Sequence, residues 1–203
     1  MCNRKEILSY LQTRINLWET YHNHKEAMSN AGFLVQISLF GSIVTETLWP
    51  PEWVRKILYF VDDPILIANI ITFLVYFILW FLIHYYIRWQ LINKRIAALY
   101  FAGFEKAFLK FLSTSKDNLD CTPYHKDIYT PNPLKEFLNK IFYVPSALTK
   151  KDASTQGMPT FIAQEIEKQF IKGTGGEVLE FLMTNTSILL LIIVCIKIFC
   201  SYS

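Results

Sequence analysis

The densest gathering of side chains able to do chemistry is Asp120-Cys121-Thr122-Pro123-Tyr124-His125-Lys126-Asp127, with two carboxylates, a thiol and an imidazole in eight residues. Such a set could hold a metal ion or run an acid–base pair. It is also the composition of a turn-forming polar loop, bent by Pro123 and its flanking Asp residues, and the turn is the preferred reading. His22 and His24 stand two apart and point to different sides of a helix, while His22 and Glu26 share a face but lack a third ligand. Lys172-Gly173-Thr174-Gly175-Gly176 lacks the G-x-x-x-x-G-K-[ST] order and a preceding strand, so a hinge is expected there and not a phosphate loop. No paired catalytic carboxylates or serine elbow are recognisable, so neither an enzyme, a cofactor nor a metal is expected.

One further ionisable group stands apart. His84 is the only side chain with an ordinary pKa near neutrality in a run of 23 residues, Ile65 to Ile87, that holds no Asp, Glu, Lys or Arg. An intramembrane His can relay protons. Arg88 lies one turn away, so a side chain reaching out to the membrane interface is the favoured reading of His84 over a relay. The four cysteines, Cys2, Cys121, Cys195 and Cys200, form no CxxC pair and are expected as reduced thiols.

The elements that must position these groups are mostly apolar helices. Of the 203 residues 52% are apolar, and they cluster in three runs, which argues for membrane spans over a soluble core. Ile7, Leu8, Leu11, Ile15, Trp18 and Tyr21 recur every three or four residues and predict an amphipathic helix in residues 1–26. Polar residues fill its first positions, so no signal peptide is expected. The first span is expected at 27–48. It carries Gln36, Ser38, Gly41, Ser42 and Thr45, small or polar residues suited to helix contacts in lipid, within one subunit or between two. An external loop at 49–63 holds Trp49 and Trp53 around a Pro pair as interfacial anchors.

Asp63-Pro64 starts the central helix, with Pro64 at the first position, where its missing N–H costs nothing. It is expected to run over 64–112, roughly 74 Å at 1.5 Å per residue, as a second span anchored by Trp89 and then a stalk. The stalk carries Phe101, Phe104, Phe108 and Phe111 at steps of three and four, a seam for the N-terminal helix around Leu11, Ile15 and Trp18. The region 113–176 holds five of the eight prolines. Two short helices are expected in it, one from Asn132-Pro133 to Pro145 and one over Thr160 to Lys172, with an exposed, mobile loop at Lys150 to Gly157. Residues 177–203 are expected to form the third span and an external C-terminus, and the Thr184-Asn185-Thr186-Ser187 cluster is expected to bond to the first span.

The expected fold is therefore an all-α membrane protein: three transmembrane helices, long cytosolic helical extensions and a small helical cytosolic region. Thirteen of the 20 Lys and Arg lie between Arg88 and Glu180, which places that region and the N-terminal helix in the cytoplasm of a multi-pass cell-membrane protein. A net charge of +3 is too small and dispersed to imply nucleic acid. In outline this resembles small bacterial defence effectors built on long-helix hairpins with two membrane spans; the resemblance is architectural. It implies a non-enzymatic homo-oligomer of the inner membrane that couples a signal, or a cytosolic protein bound through 113–172, to the bilayer, as in antiviral defence. A passive scaffold or immunity-type protein is the alternative, and a membrane-bound enzyme using Asp120, His125 and Asp127 is a third.

Overall fold

A computed structural model describes residues 4–44, 64–114, 119–126, 134, 153–172 and 177–200. Among them the chain is all-helical, with α1 at Arg4–Val44, α2 at Pro64–Ser113, α3 at Thr160–Lys172 and α4 at Glu177–Cys200. Pro64 opens α2, where a fixed φ and an absent N–H suit a helix start. Ser113 and Thr114 close it by donating to the Lys110 carbonyl. Two helical stretches, Asn69–Ser113 and Val178–Cys200, are long and apolar enough to cross a membrane. The span expected at 27–48 is described only as far as Val44, so two such helices are evident and not three.

The helices form two units. Unit 1 comprises residues 1–27 and 89–177, and unit 2 residues 28–88 and 178–203, so α1 and α2 each contribute to both.

Unit 1 has an ordinary apolar core. Ile7 and Leu11 of α1 pack with Leu99, Tyr100, Phe104, Ala107 and Phe111 of α2 and with Phe161, Ile162, Ile166 and Phe170 of α3. Ring contacts fix the direction of each pairing. Trp18 stacks on Tyr100 at 4.4 Å and Tyr10 meets Phe104, so α1 runs antiparallel to α2. Phe170 meets Tyr100 and Phe161 meets Phe111, so α3 does too. Helices this close need a small residue at the crossing: a Cβ on Gly103 would lie 2.7 Å from the Ile166 Cα.

The segment 119–126 pairs with 153–160. Pro123 and Pro159 bridge, Tyr124 N–H donates to the Met158 carbonyl, and Gly157 N–H donates back to the Tyr124 carbonyl. Gly157 has φ +75°, a left-handed conformation that favours glycine. The described part of the loop expected to be exposed and mobile is divided: Ser154, Gln156 and Gly157 are exposed, whereas Ala153 and Thr155 are buried. Glu167, buried on α3, ties it down by accepting hydrogen bonds from Tyr124 and Thr155. Of the helix expected from Asn132, Leu134 is helical and exposed, and the rest lies outside the described residues.

Unit 2 has the opposite distribution. Its buried set includes Ser29, Gln36, Asn69, Thr72, His84, Arg88, Glu180 and Ser187, while Leu34, Leu66, Leu74, Ile78, Leu82, Leu182, Leu189 and Ile196 are exposed. Apolar contacts hold it together through Phe40, Trp80, Val194 and Ile198. Phe40 meets Tyr76 and Phe199 meets Phe73, so α1 and α4 both run antiparallel to α2 here.

Candidate functional site in the interior of unit 2

Polar side chains turned inward beneath an apolar exterior are costly unless they are paired, and in lipid they mark function. Unit 2 concentrates them between α2 and α4. His84 Nδ1 lies 2.8 Å from Ser187 Oγ, and Trp80 Nε1 donates to the Ser187 carbonyl at 2.8 Å. The indole and imidazole stack at 4.7 Å and 13°. One turn along, Arg88 Nη1 donates to Thr184 Oγ1 at 2.5 Å, and Thr184 Oγ1 in turn donates to the Glu180 carbonyl at 2.9 Å. Helical spacing explains the register, because Trp80, His84 and Arg88 are four apart on α2; the first two meet Ser187 and the third meets Thr184 on the antiparallel α4.

His84 is 3% exposed, so the interfacial, outward-reaching side chain expected from the sequence is corrected to a buried one. The Thr184–Ser187 cluster was expected to bond to the first span, and Thr184 and Ser187 bond to α2 instead. Sequence spacing carried part of this signal, since Trp80, His84 and Arg88 share a face. What it lacked was which helix supplies the partners.

The residues expected at a helix contact in lipid divide. At 100° per residue, Ser38 lies nearly opposite Gln36, and Gly41 and Ser42 are turned roughly 140° and 120° away from it. Gln36 is 0% exposed, on the face with Ser29 and Phe40, and neither amide heavy atom has a hydrogen-bond partner. Ser38 is exposed, Ser42 Oγ donates to the Leu39 carbonyl, and a Cβ on Gly41 would meet nothing within 4 Å. Thr45, Trp49 and Trp53 lie outside the described residues. Trp89, in unit 1, is 45% exposed with the Lys25 ammonium 5.9 Å from its ring. Of the stalk residues, Phe104 and Phe111 are buried in the unit 1 core, Phe108 packs against it, and Phe101 is half-buried. Leu11 lies in that core, and Ile15 and Trp18 pack at its edge.

The Asp/Cys/His cluster of unit 1 is a loop. Asp120 Oδ1 accepts from both the backbone N–H and Oγ1 of Thr122, and these bonds hold its carboxyl below the usual range. His125 Nδ1 lies 3.5 Å from Gln156 Nε2, and Asp127 lies outside the described residues. No cluster of three metal-ligating side chains occurs among the described residues. Cys195 and Cys200 are free thiols, whereas Cys121 is disulfide-bonded, against the reduced state expected for it. Spacing along the chain could not foresee that pairing, which depends on proximity in space.

Elsewhere in unit 1 several charges are paired. Lys94 Nζ lies 2.8 Å from Glu26 Oε1, and this hydrogen bond lowers the Glu26 pKa. Burial works to raise Glu165, and its bonds to Lys168 and Lys110 more than reverse it. Burial pushes the Tyr100 hydroxyl up. Comparison with protein-family models, with curated proteins and with solved structures finds nothing that this chain matches.

Proposed function

We propose that the chain is an integral membrane protein of three spans, with unit 2 in the bilayer and unit 1 on the cytoplasmic side, and that it couples a cytosolic protein or signal to the membrane. The observation carrying this reading is the inverted burial of unit 2, which hides Gln36, His84 and Arg88 and exposes its Leu and Ile residues. A soluble bundle with that exterior would leave a large apolar surface in water. The buried imidazole and guanidinium favour an active membrane part over a passive anchor, because an anchor gains nothing from burying them. Coupling rests on α1 and α2, each of which builds part of both units. Partner binding falls to 113–172 and assembly to the Ser38, Gly41 and Ser42 face, with a non-enzymatic, defence-type effector as the role.

Cell fractionation tests the foundation. The protein is expected in the membrane fraction, resistant to alkaline carbonate and released by detergent; release by carbonate alone would overturn the reading. An effector also depolarises cells on overexpression, which a voltage-sensitive dye reports and a scaffold leaves unchanged.

A further inference from the structure

We propose that the interior of unit 2 is a proton pathway, with His84 as its titrating member. The proposal rests on the membrane reading above and adds an activity to it. Its first support is a stripe along α2: Asn69, Thr72, Tyr76, Trp80, His84 and Arg88 follow one another at steps of three and four. Every one carries a polar atom, and all but the half-buried Tyr76 are buried. The intervening Leu74, Val75, Phe77, Ile78 and Leu82 are exposed. From Asn69 to Arg88 the stripe rises roughly 28 Å at 1.5 Å per residue, close to the hydrocarbon thickness of about 30 Å.

The second support is what faces the stripe. From α4 come Ser187 against His84 and Thr184 against Arg88. From α1 comes Gln36. Gly32, one turn before it, has Tyr86 and Ile87 within 3.1–3.3 Å of a Cβ position, and Phe40, one turn after it, meets Tyr76. Gln36 is therefore level with the part of α2 that holds Trp80 and His84. Its amide is fully buried and without a hydrogen-bond partner, a wasteful arrangement for packing alone. It is apt for a layer whose donors and acceptors must exchange protons or water.

Ordinary helix packing in membranes also uses single hydroxyls and amides. It does not require an imidazole within a polar stripe this long. His84 can accept a proton at one ring nitrogen and release another from the second, so the neutral side chain is regenerated with its tautomer exchanged and no net charge retained. Among the described residues of unit 2 the charged groups are Arg88 on α2 and Glu180 and Lys197 on α4; α1 contributes none between Met28 and Val44. Arg88, one turn from His84, disfavours the entry of metal cations along the route.

The test is reconstitution of the full chain into vesicles of phosphatidylethanolamine and phosphatidylglycerol containing a pH-sensitive dye, with an imposed pH gradient. Protein-dependent proton flux is expected, lost in His84→Phe and reduced severalfold in Gln36→Leu and Thr72→Val. Ser187→Ala, a smaller change, keeps the test valid if His84→Phe misfolds, and it should also reduce the flux. Carbonate-resistant protein that passes no protons above empty vesicles overturns the pathway while leaving the membrane reading intact. Flux unchanged in both His84→Phe and Ser187→Ala overturns it equally. Protein that carbonate strips from the vesicles overturns both readings.

Discussion

Gly103 illustrates how one missing carbon sets the spacing of unit 1. A methyl group there would meet both the Cα and the Cγ1 of Ile166 at 2.7 Å, and a Cα cannot swing aside. Overpacking of this kind costs about 1–3 kcal/mol, against about 1 kcal/mol that alanine returns in helix propensity. Gly103→Ala should therefore lower the stability of the purified protein in detergent, as read by tryptophan fluorescence in urea. A gain in stability would show that α3 can move away from α2 freely. A second residue-scale expectation concerns acid. The Lys94 hydrogen bond lowers the Glu26 pKa below its ordinary 4.5. The pairing thus stabilises the fold above that value, and its contribution is lost as pH falls through the lower folded-state pKa. Wild type should lose stability relative to Glu26→Gln below about pH 4.5. High salt should shrink the difference, because the Glu26 side chain is partly open to solvent. Parallel pH profiles for the two proteins would remove this role from Glu26.

At the scale of the helices, the outward face of α1 in unit 2 is the place where assembly can be tested. Ser38 is exposed and Gly41 has open space beside it, so another helix could approach closely there. Ser38→Leu with Ser42→Leu should weaken oligomers in crosslinking and mass photometry while leaving insertion intact; an unaffected oligomer would move the contact elsewhere. The helices themselves were legible in the sequence. Pro64, the uninterrupted run after it and the three- and four-residue spacing of Phe104, Phe108 and Phe111 gave α2 and its seam almost to the residue. Faces were legible only where one rotation was followed through. Gln36 was grouped with Ser38 although two residues turn a helix by about 200°, which puts them on opposite sides. Partners were not legible: nothing in a single strand of sequence says that Ser187 meets His84, or that Ile166 crosses at Gly103. Both depend on how antiparallel helices settle against one another.

For the molecule as a whole, sidedness is the open physical contest. The Lys and Arg distribution argues for unit 1 in the cytoplasm. The disulfide at Cys121 argues the other way, because glutathione keeps most cytosolic thiols reduced. A cysteine introduced at Ser154, which is exposed, in a background without Cys195 and Cys200 decides between them. Impermeant maleimide should label it only after the cells are opened. Labelling of intact cells would place unit 1 outside and reverse the topology.

The interleaving of the two units also governs how the chain matures. Unit 1 needs residues 1–27, but it also needs residues up to 177, with all of 28–88 synthesised in between. At a translation rate of about 5–20 residues per second, the first half of α1 waits several seconds for the α2 and α3 surfaces that cover Leu11 and Trp18. During that wait its apolar stripe is open to chaperones or to another nascent chain. The contacts that end the wait are long-range, so their closure is slow relative to helix formation. Neither unit can be cut out as a continuous fragment, and a truncation before α3 leaves the Phe104 face uncovered.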